Sequence, residues 1–323
     1  MDIGEWAPAA MYPLALPAHD AHIAAYGVDH EGRALLLTAN RADYAKATAK
    51  KKAKRGLSAK ARTKPSLTFS VSVQTGARAE TRTLPPLEPS FHHIDRFRDG
   101  ASLLVGSRSA WRGKDDFDLN GALIERGAGV ANRIHLGDGI EGVAIDGADR
   151  IWVSYFDEGV FGNYGWTSIG PTGLGAGGLN CFDRAGALLW QHNRALSSNH
   201  IDDCYAMNVS AFGVWIYYYH DFKLAQVRDD FSVQYFETPL AGSHGLVTDG
   251  ARFVFTSQYK EAATALHAAV LHQDGLAIRG TLTLALPEDV DAGEIRLIAR
   301  GDILHAFTQT HWIVYALAGL DFA

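Results

Sequence analysis

Acidic and imidazole side chains recur at six places in the chain, each at the start of a short apolar segment. They are His22, His93, Glu141, Asp203, His244 and Glu294. Carboxylate oxygens bind Ca²⁺ and Mg²⁺, and imidazole nitrogens bind Zn²⁺ or Mn²⁺. If the fold brings these segments together, we predict a divalent metal site. Its ligands are His93, Glu141, Asp203, His244 and Glu294.

The same side chains also suit proton transfer. Imidazole and carboxyl groups act as general acids and bases, and a bound metal activates water. We therefore take His22, His200 and Glu141 as the catalytic candidates of a metal-dependent hydrolase, lactonase or lyase. The alternative is that polar residues surround the mouth of a water-filled channel without any catalytic role. The sequence leaves both interpretations open.

Aromatic residues with polar neighbours form a second group of candidates. The ligand-binding candidates are Tyr155, Asp157, Glu158, Trp166, Tyr219, His220 and Asp221. Rigid aromatic walls with a few polar groups are typical of sites for small molecules, including sugars. We predict that a small molecule or a protein partner binds this loop face. The alternative is that most of these aromatic rings pack inside the fold.

The elements that must position these residues repeat along the chain. Turn residues recur at intervals of 45, 65, 44, 45 and 44 residues, and they are Gly76, Gly121, Gly186, Asp230, Gly275 and Gly319. The one long interval contains a glycine-rich insertion, 156–178. A second series of turn glycines lies between the first, so each repeat contains four short segments. β-Branched and aromatic residues fill these segments, which predicts strands and not a stack of two-helix repeats.

Four-strand repeats at this interval predict an all-β fold, a six-bladed β-propeller with four-stranded blades. The sixth repeat ends after its third strand, and an apolar segment at 11–16 has no partner of its own. We predict that 11–16 supplies the fourth strand and closes the last blade, which removes an open sheet edge. The chain 1–323 then forms a single propeller domain with insertions at 41–65 and 156–178.

The repeat pattern resembles that of six-bladed propellers of the NHL, gluconolactonase and strictosidine-synthase-like type over nearly the whole chain. The stretch IWVSYFDEGVFGNYGW at 151–166 also resembles a group of uncharacterised bacterial propeller proteins. The resemblance implies that the first strand of each blade, strand a, lines a central channel. The second, third and fourth strands of each blade are strands b, c and d. The resemblance also implies that the loops before strand a and between strands b and c share the ligand-binding face. The gluconolactonase pattern adds Asn ligands in the channel, and Asn208 lies too late in its strand to match.

The charge of the chain is unevenly distributed. Residues 41–64 carry ten basic side chains and one acidic side chain, a net charge of +9, whereas the remaining 20 basic and 35 acidic residues give −15. Three interpretations of the basic segment remain open: a solvated loop, a clamp against the acidic body, and contact with nucleic-acid phosphates. Association with nucleic acid is the least favoured of the three.

The remaining composition bears on compartment and cofactors. No apolar run reaches 18 residues and the first residues resemble no export signal, so we expect a cytoplasmic protein without a membrane partner. Cys181 and Cys204 are too few for a disulfide scaffold and are expected to be buried, reduced thiols. The glycine run at 173–178 precedes a strand and not a helix, so no nucleotide cofactor is expected.

Overall fold

The computed structural model describes residues 2–49, 65–88, 90–127, 129–193, 198–256, 258–262, 264–273, 275–288, 290 and 295–322. Glu294 and the basic segment 50–64 lie outside the described residues, so the predictions that involve them stay predictions. None of the helices within these ranges has the length and apolar character that a membrane crossing needs.

Six four-stranded sheets form a ring. Strands β1 (Asp2–Trp6) and β2 (Ala10–Pro13) come first. Blade 1 contains β3 (Ala21–Val28), β4 (Ala34–Asn40), β5 (Phe69–Thr75) and β6 (Arg78–Thr83). Blade 2 contains β7 (His93–Arg96), β8 (Ser102–Val105), the small hairpin of β9 (Trp111–Gly113) and β10 (Asp116–Phe117), and then β11 (Gly121–Ile124) and β12 (Val130–Ile134). Blade 3 contains β13 (Ile140–Ile145), β14 (Ile151–Tyr155), β15 (Leu179–Phe182) and β16 (Leu188–Gln191).

The second half of the ring repeats this arrangement. Blade 4 contains β17 (Asp203–Ser210), β18 (Gly213–Tyr219), β19 (Lys223–Val227) and β20 (Val233–Phe236). Blade 5 contains β21 (Leu246–Thr248), β22 (Arg252–Phe255), β23 (Ala265–His272) and β24 (Gly275–Leu284). Blade 6 contains β25 (Arg296–Arg300), β26 (Ile303–Phe307) and β27 (His311–Ala316). Helices α1 (Arg41–Thr48) and α2 (Asp157–Phe161) lie in the b–c connections of blades 1 and 3. The six sheets confirm the predicted six-bladed propeller.

The N-terminal strands close the ring. Strand β2 pairs antiparallel with β27, with Tyr12 opposite Trp312, and becomes the fourth strand of blade 6. The predicted closure is therefore confirmed, although the strand covers Ala10–Pro13 and not 11–16. Strand β1 pairs parallel with β24 and adds a fifth strand to blade 5, which the sequence did not predict.

Two of the predicted turns between strands c and d are wrong. Gly121 begins strand c of blade 2, because the β9–β10 hairpin lengthens the preceding connection and moves the turn beyond Ile124. Leu317–Gly319 forms a 3₁₀ turn after the last strand and leads to no hairpin, since strand d of that blade comes from the N-terminus. Cys181 and Cys204 are buried and unpaired, as predicted.

An aspartate–arginine clamp stabilises the turn between strands a and b in three blades. In blade 3, Asp146 Oδ1 accepts hydrogen bonds from the amides of Ala148 and Arg150, while Asp146 Oδ2 accepts one from Arg150 Nε at 2.6 Å. Asp29 with Arg33 and Asp249 with Arg252 repeat this arrangement. Each clamp satisfies main-chain donors that the turn would otherwise leave unpaired.

The six strands a lie side by side around the channel. Their packing is close: a Cβ atom on Gly27 would lie 2.1 Å from the carbonyl oxygen of Ile94 in the next blade, so only glycine fits. The upper mouth is the end of the channel where strands a begin, at His93, Glu141, Asp203 and Arg296. The lower mouth is the other end, where strands a turn into strands b.

Candidate functional site

Two carboxylates from neighbouring blades meet at the upper mouth. Glu141 belongs to β13 and Asp203 begins β17, and the two strands are adjacent in the ring. Glu141 is the extra residue of a β-bulge, because Ile140 pairs with Tyr155 and Gly142 pairs with Ser154. A bulge re-aims a side chain and is common beside binding sites. Glu141 therefore has no partner residue in β14, and its side chain can face Asp203.

The two carboxyl groups hold protons more tightly than isolated ones. Burial, together with the neighbouring carboxylates of Asp157 and Glu141, raises the pKa of Asp203 to about 7. Burial also raises the pKa of Glu141, against the opposing effect of the Arg296 guanidinium. Like charges that share a site disfavour ionisation. The upper mouth thus carries excess negative charge that is not fully compensated on the Asp203 side.

An aromatic cluster adjoins Asp203 at the same mouth. The cluster consists of Tyr205, Tyr219, Phe222, His244 and Tyr259. Tyr205 is the extra residue of a second β-bulge, between the Cys204–Tyr218 and Ala206–Tyr217 pairs. Its ring stacks on His244 with 4.8 Å between centroids and an interplanar angle of 13°, and its hydroxyl contacts that of Tyr259. Rings of Tyr219, Tyr259 and His244 are exposed, so the cluster offers an aromatic surface to solvent.

The structure ties the predicted histidines to different partners. Nε2 of His93 lies 2.9 Å from Ser107 Oγ, and the ring also hydrogen bonds the main chain at Ile140. His22 packs on Tyr44 of α1, with 4.1 Å between ring centroids. The ring of His200 lies 6.2 Å from that of His220. None of these contacts, all within the described residues, brings a histidine to Glu141, so the predicted catalytic set is not assembled by them.

Helix α2 places the two acidic candidates of the 156–178 insertion differently. Asp157 is exposed and close enough to Asp203 to raise the pKa of that carboxyl. Glu158 forms an ion pair with Arg108 of blade 2, which also lies 2.9 Å from Asp138 Oδ2. The Arg108 guanidinium stacks over the Tyr164 ring, with 4.4 Å to its centroid. Asp157 therefore lies near the carboxylates of the upper mouth, whereas Glu158 attaches the insertion to blade 2.

Two aromatic candidates are buried by the packing of the same insertion. Tyr155 has no exposed surface, and its hydroxyl donates a hydrogen bond to the carbonyl oxygen of Leu136. Trp166 is 6% exposed, donates from Nε1 to the carbonyl oxygen of Ser109 and stacks on His135. Neither ring is available to a ligand in this structure. The glycine-rich insertion therefore lies packed on blade 2.

The other ligand-binding candidates lie at the b–c turn of blade 4. Tyr219 belongs to the aromatic cluster, and His220 Nδ1 lies 3.1 Å from Asp202 Oδ2. Nε2 of the same ring lies 3.7 Å from Asp221 Oδ2. Asp221 adopts a left-handed backbone, with φ of 59°. These three residues lie at the upper mouth, beside the start of strand a of the same blade.

The predicted metal ring includes Glu294, which lies outside the described residues, so the ring as a whole is not tested. Within the part of the chain that the structure describes, no three His, Cys, Asp or Glu side chains gather closely enough to hold a metal ion. Arg296, which sequence reasoning missed, begins strand a of blade 6. Its charge opposes the rise that burial gives the pKa of Glu141, and it adds to the lowering that burial gives the pKa of His93. A guanidinium at this position suits an ionic surface better than a cation-ligand ring. The metal, with Glu294 as a ligand, stays a prediction.

The basic insertion is described only at its start. Helix α1 begins after Asn40, whose Oδ1 accepts hydrogen bonds from the amides of Ala42 and Asp43. None of its side chains is buried, so the helix lies on the surface. Association with nucleic acid through 41–64 stays a prediction.

Replacing Asp203 with asparagine is expected to raise the melting temperature, and to raise it more at pH 8 than at pH 5. The carboxyl of Asp203 has a folded-state pKa of about 7, above the usual value of about 3.9 in an unfolded chain. Ionisation of Asp203 therefore destabilises the folded state progressively as the pH rises from about 4 to about 7. Asparagine resembles the protonated form and avoids that loss. Thermal denaturation at the two pH values measures the effect, and an equal shift at both would contradict it.

No family model matches the chain, and no curated protein matches it. Among solved structures, a catalytically inactive virginiamycin B lyase from Staphylococcus aureus with quinupristin is 10% identical, covers 95% of this chain and 99% of its own, and has a TM-score of 0.43. YCF48 bound to D1 peptide is 10% identical, with coverages of 95% and 96% and a TM-score of 0.43. Apo AztD from Citrobacter koseri is 10% identical, with coverages of 92% and 84% and a TM-score of 0.41.

Proposed function

We propose that the upper mouth binds a small, positively charged organic ligand. The observation that carries this proposal is the juxtaposition of Asp203 with the exposed rings beside Tyr205. Burial, and then the carboxylates of Asp157 and Glu141, raise the pKa of Asp203. A bound cation relieves the repulsion among the carboxylates, and aromatic faces attract ammonium groups. The site thus combines two features that favour the same kind of ligand.

The position of Arg296 indicates where the cation binds. Its guanidinium acts on Glu141, His93 and Tyr26, on the side of the mouth formed by blades 1, 2 and 3. The charges that act on Asp203 are both carboxylates, from Asp157 and Glu141. A ligand ammonium therefore finds the stronger negative potential beside Asp203 and the aromatic cluster. Arg296 leaves the opposite side of the mouth suited to an acceptor group of the same ligand.

Choline is a suitable probe because 3,3-dimethylbutan-1-ol has the same shape without the charge. We expect choline to bind and the neutral alcohol to bind at least about tenfold more weakly, which corresponds to about 1.4 kcal/mol. Asp203→Asn should weaken choline binding by a similar factor. Because Asp203 loses its proton near pH 7, affinity should rise between pH 6 and pH 8. Isothermal titration calorimetry measures each affinity.

The matched control is Asp321→Asn, which removes an exposed carboxylate beyond the last strand and should leave choline binding unchanged. Equal binding of the alcohol, unchanged affinity in Asp203→Asn, or weaker binding at pH 8 than at pH 6 would each overturn the proposal. Titrations with Ca²⁺, Mg²⁺, Mn²⁺ and Zn²⁺ complete the design. Stoichiometric binding of one of these ions, without any binding of choline, would replace the organic cation with the metal.

Catalysis at the same mouth is the second candidate. One observation favours it: a carboxyl group with a pKa of about 7, such as Asp203, can both give and take a proton at neutral pH. A hydrolase or lyase would use Asp203 as its general acid or base beside Glu141. The roles predicted for His22 and His200 have no such support, because their observed ring contacts are with Tyr44 and His220.

A further inference from the structure

A cavity of about 540 Å³ lies at the lower mouth, at the opposite end of the channel from the acidic carboxylates. Turns between strands a and b of blades 1, 3, 4 and 6 surround it, with His30, Asp146, Ala211 and Asp302 among the lining residues. Its volume is within the range of small-molecule sites in proteins. The cavity belongs to none of the candidate sites that the sequence predicted.

Two polar side chains of blade 6 enter the lining of this cavity from the same face of the sheet. Arg300 pairs with Ile303 across β25 and β26, and His305 is two residues further along β26. Side chains two residues apart on a strand point to the same side, and so do directly opposed pairs. Arg300 is 8% exposed and His305 is 2% exposed, and both line the cavity. Blade 6 therefore presents two buried polar groups at one place.

The hydrogen bond from Trp312 determines which nitrogen of His305 carries the proton. Trp312 Nε1 donates to His305 Nδ1 at 3.1 Å, and an indole N–H has no other role than donor. Burial lowers the pKa of His305 to about 3, so its ring is neutral. A neutral ring that accepts at Nδ1 carries its proton on Nε2. That Nε2–H group has no acceptor among the described residues.

Arg300 presents a second donor of the same kind. Its guanidinium reaches across the channel, where Nη1 lies 3.6 Å from Asp95 Oδ2 and Nη2 donates to the carbonyl oxygen of Ile145. The Nε–H group is buried and has no acceptor among the described residues. A buried donor without an acceptor costs about 1–3 kcal/mol. The two N–H groups belong to residues that line the cavity, but both nitrogens have almost no surface accessible to solvent, so an acceptor in the cavity reaches them only after the side chains shift.

The rest of the cavity wall is largely apolar on the side of blade 4. Val209, Phe212, Val214 and Val227 contribute to it, and Phe212 is 39% exposed at the rim. Such a wall favours the body of an organic ligand over a chain of water molecules, because apolar surfaces give water no hydrogen bonds. Arg150, another lining residue, is already paired with Asp146 and Asp229. Its charge is thus balanced without a ligand.

We propose that the lower mouth binds a small carboxylic acid with an apolar body, whose carboxylate accepts hydrogen bonds from Arg300 Nε and His305 Nε2. The apolar body lies along Phe212 and the valines of blade 4. The site is separate from the cation site at the upper mouth, so a single chain can hold ligands of opposite charge at its two mouths. Neither proposal depends on the other.

The test compares 4-phenylbutyrate with 4-phenylbutylamine, which has the same apolar body and an ammonium group that accepts no hydrogen bond. Calorimetry and ligand-observed NMR on the full chain should show binding of the acid and no displacement of the acid by the amine. Arg300→Lys keeps a positive charge beside Asp95 but removes the Nε donor, and it should weaken binding of the acid at least tenfold. Phe212→Glu places a carboxylate at the exposed rim and should have a similar effect without disturbing the core.

Asp203→Asn separates the two sites, because it should leave the affinity for 4-phenylbutyrate unchanged. The proposal is overturned if the acid does not bind, which would leave only solvent as the acceptor. It is also overturned if Phe212→Glu binds the acid as tightly as the natural chain, or if the amine displaces the acid. The Phe212→Glu result decides the question even if Arg300→Lys fails to fold.

Discussion

Replacing Trp6 with alanine lowers the free energy of unfolding by about 3–5 kcal/mol, the usual cost of removing a buried aromatic side chain. Trp6 is 1% exposed although it lies on β1, the outermost strand of blade 5. Its ring packs on Tyr315 of blade 6, with 5.7 Å between centroids, and Nε1 donates to the carbonyl oxygen of Ala316. The side chain therefore joins blades 5 and 6 where the two ends of the chain meet. Urea denaturation followed by circular dichroism measures the loss.

Met11→Ala is the matched control for this prediction. Met11 lies on β2, the other N-terminal strand, but its side chain is 48% exposed. Its removal should change stability by less than about 0.5 kcal/mol, as is usual for surface substitutions. If Trp6→Ala costs no more than Met11→Ala, β1 does not stabilise the ring. Trp6→Phe keeps part of the buried area and should lie between the two.

Ring closure was predictable from the sequence because counting strands requires no knowledge of side-chain contacts. The sixth repeat lacked one strand, and an apolar segment near the N-terminus lacked a partner. The N-terminal segment therefore supplied the missing strand. Strand β1 escaped prediction for the opposite reason. Its sequence, DIGEW, has a single buried residue, Trp6, and no alternating pattern that marks a strand. Parallel pairing with β24 is a tertiary contact that the local sequence does not encode.

The acidic mouth was only partly predictable. Glu141 and Asp203 were found because both lie at the start of a strand a, a position that the repeat defines. Tyr205 was missed because a β-bulge shifts the alternation of its strand, so periodicity assigns its side chain to the wrong face. Tyr155 and Trp166 were chosen as aromatic residues of the b–c loops, and their burial depends on how the 156–178 insertion packs on blade 2.

The lower mouth shows a further limit of sequence analysis. Arg300 and His305 lie in apolar strands, where an isolated polar residue gives no signal of its own. The two residues stand out because Nε of Arg300 and Nε2 of His305 have no acceptor among the described residues. Only the tertiary structure shows which hydrogen bonds remain unmade. A sequence motif that could have drawn attention to this end of the channel is the recurring Asp–Arg clamp, as at Asp146 and Arg150.

Replacing Arg300 with leucine is expected to cost about 3–5 kcal/mol of folding free energy, because removing one partner of a buried ion pair leaves the other charge uncompensated. That other charge is Asp95, which is 2% exposed and accepts hydrogen bonds from the amides of Arg96 and Ile145. Leucine fills part of the space but offers no donor. Urea denaturation at pH 8 measures the loss, and Arg228→Leu, which removes an exposed arginine from the rim of the same cavity, should change stability by less than about 0.5 kcal/mol.

The cost of Arg300→Leu should also depend on pH in a defined direction. Burial raises the pKa of Asp95, and the Arg300 guanidinium opposes that rise, which leaves the pKa at about 7. Without the guanidinium the pKa rises further, so the carboxyl of the variant is protonated at pH 5 and avoids much of the penalty that it meets at pH 8. The double variant Arg300→Leu with Asp95→Asn has no buried charge and should recover part of the lost stability at pH 8. If the loss is equal at both pH values and the double variant recovers nothing, Arg300 acts by packing and not by balancing the charge of Asp95.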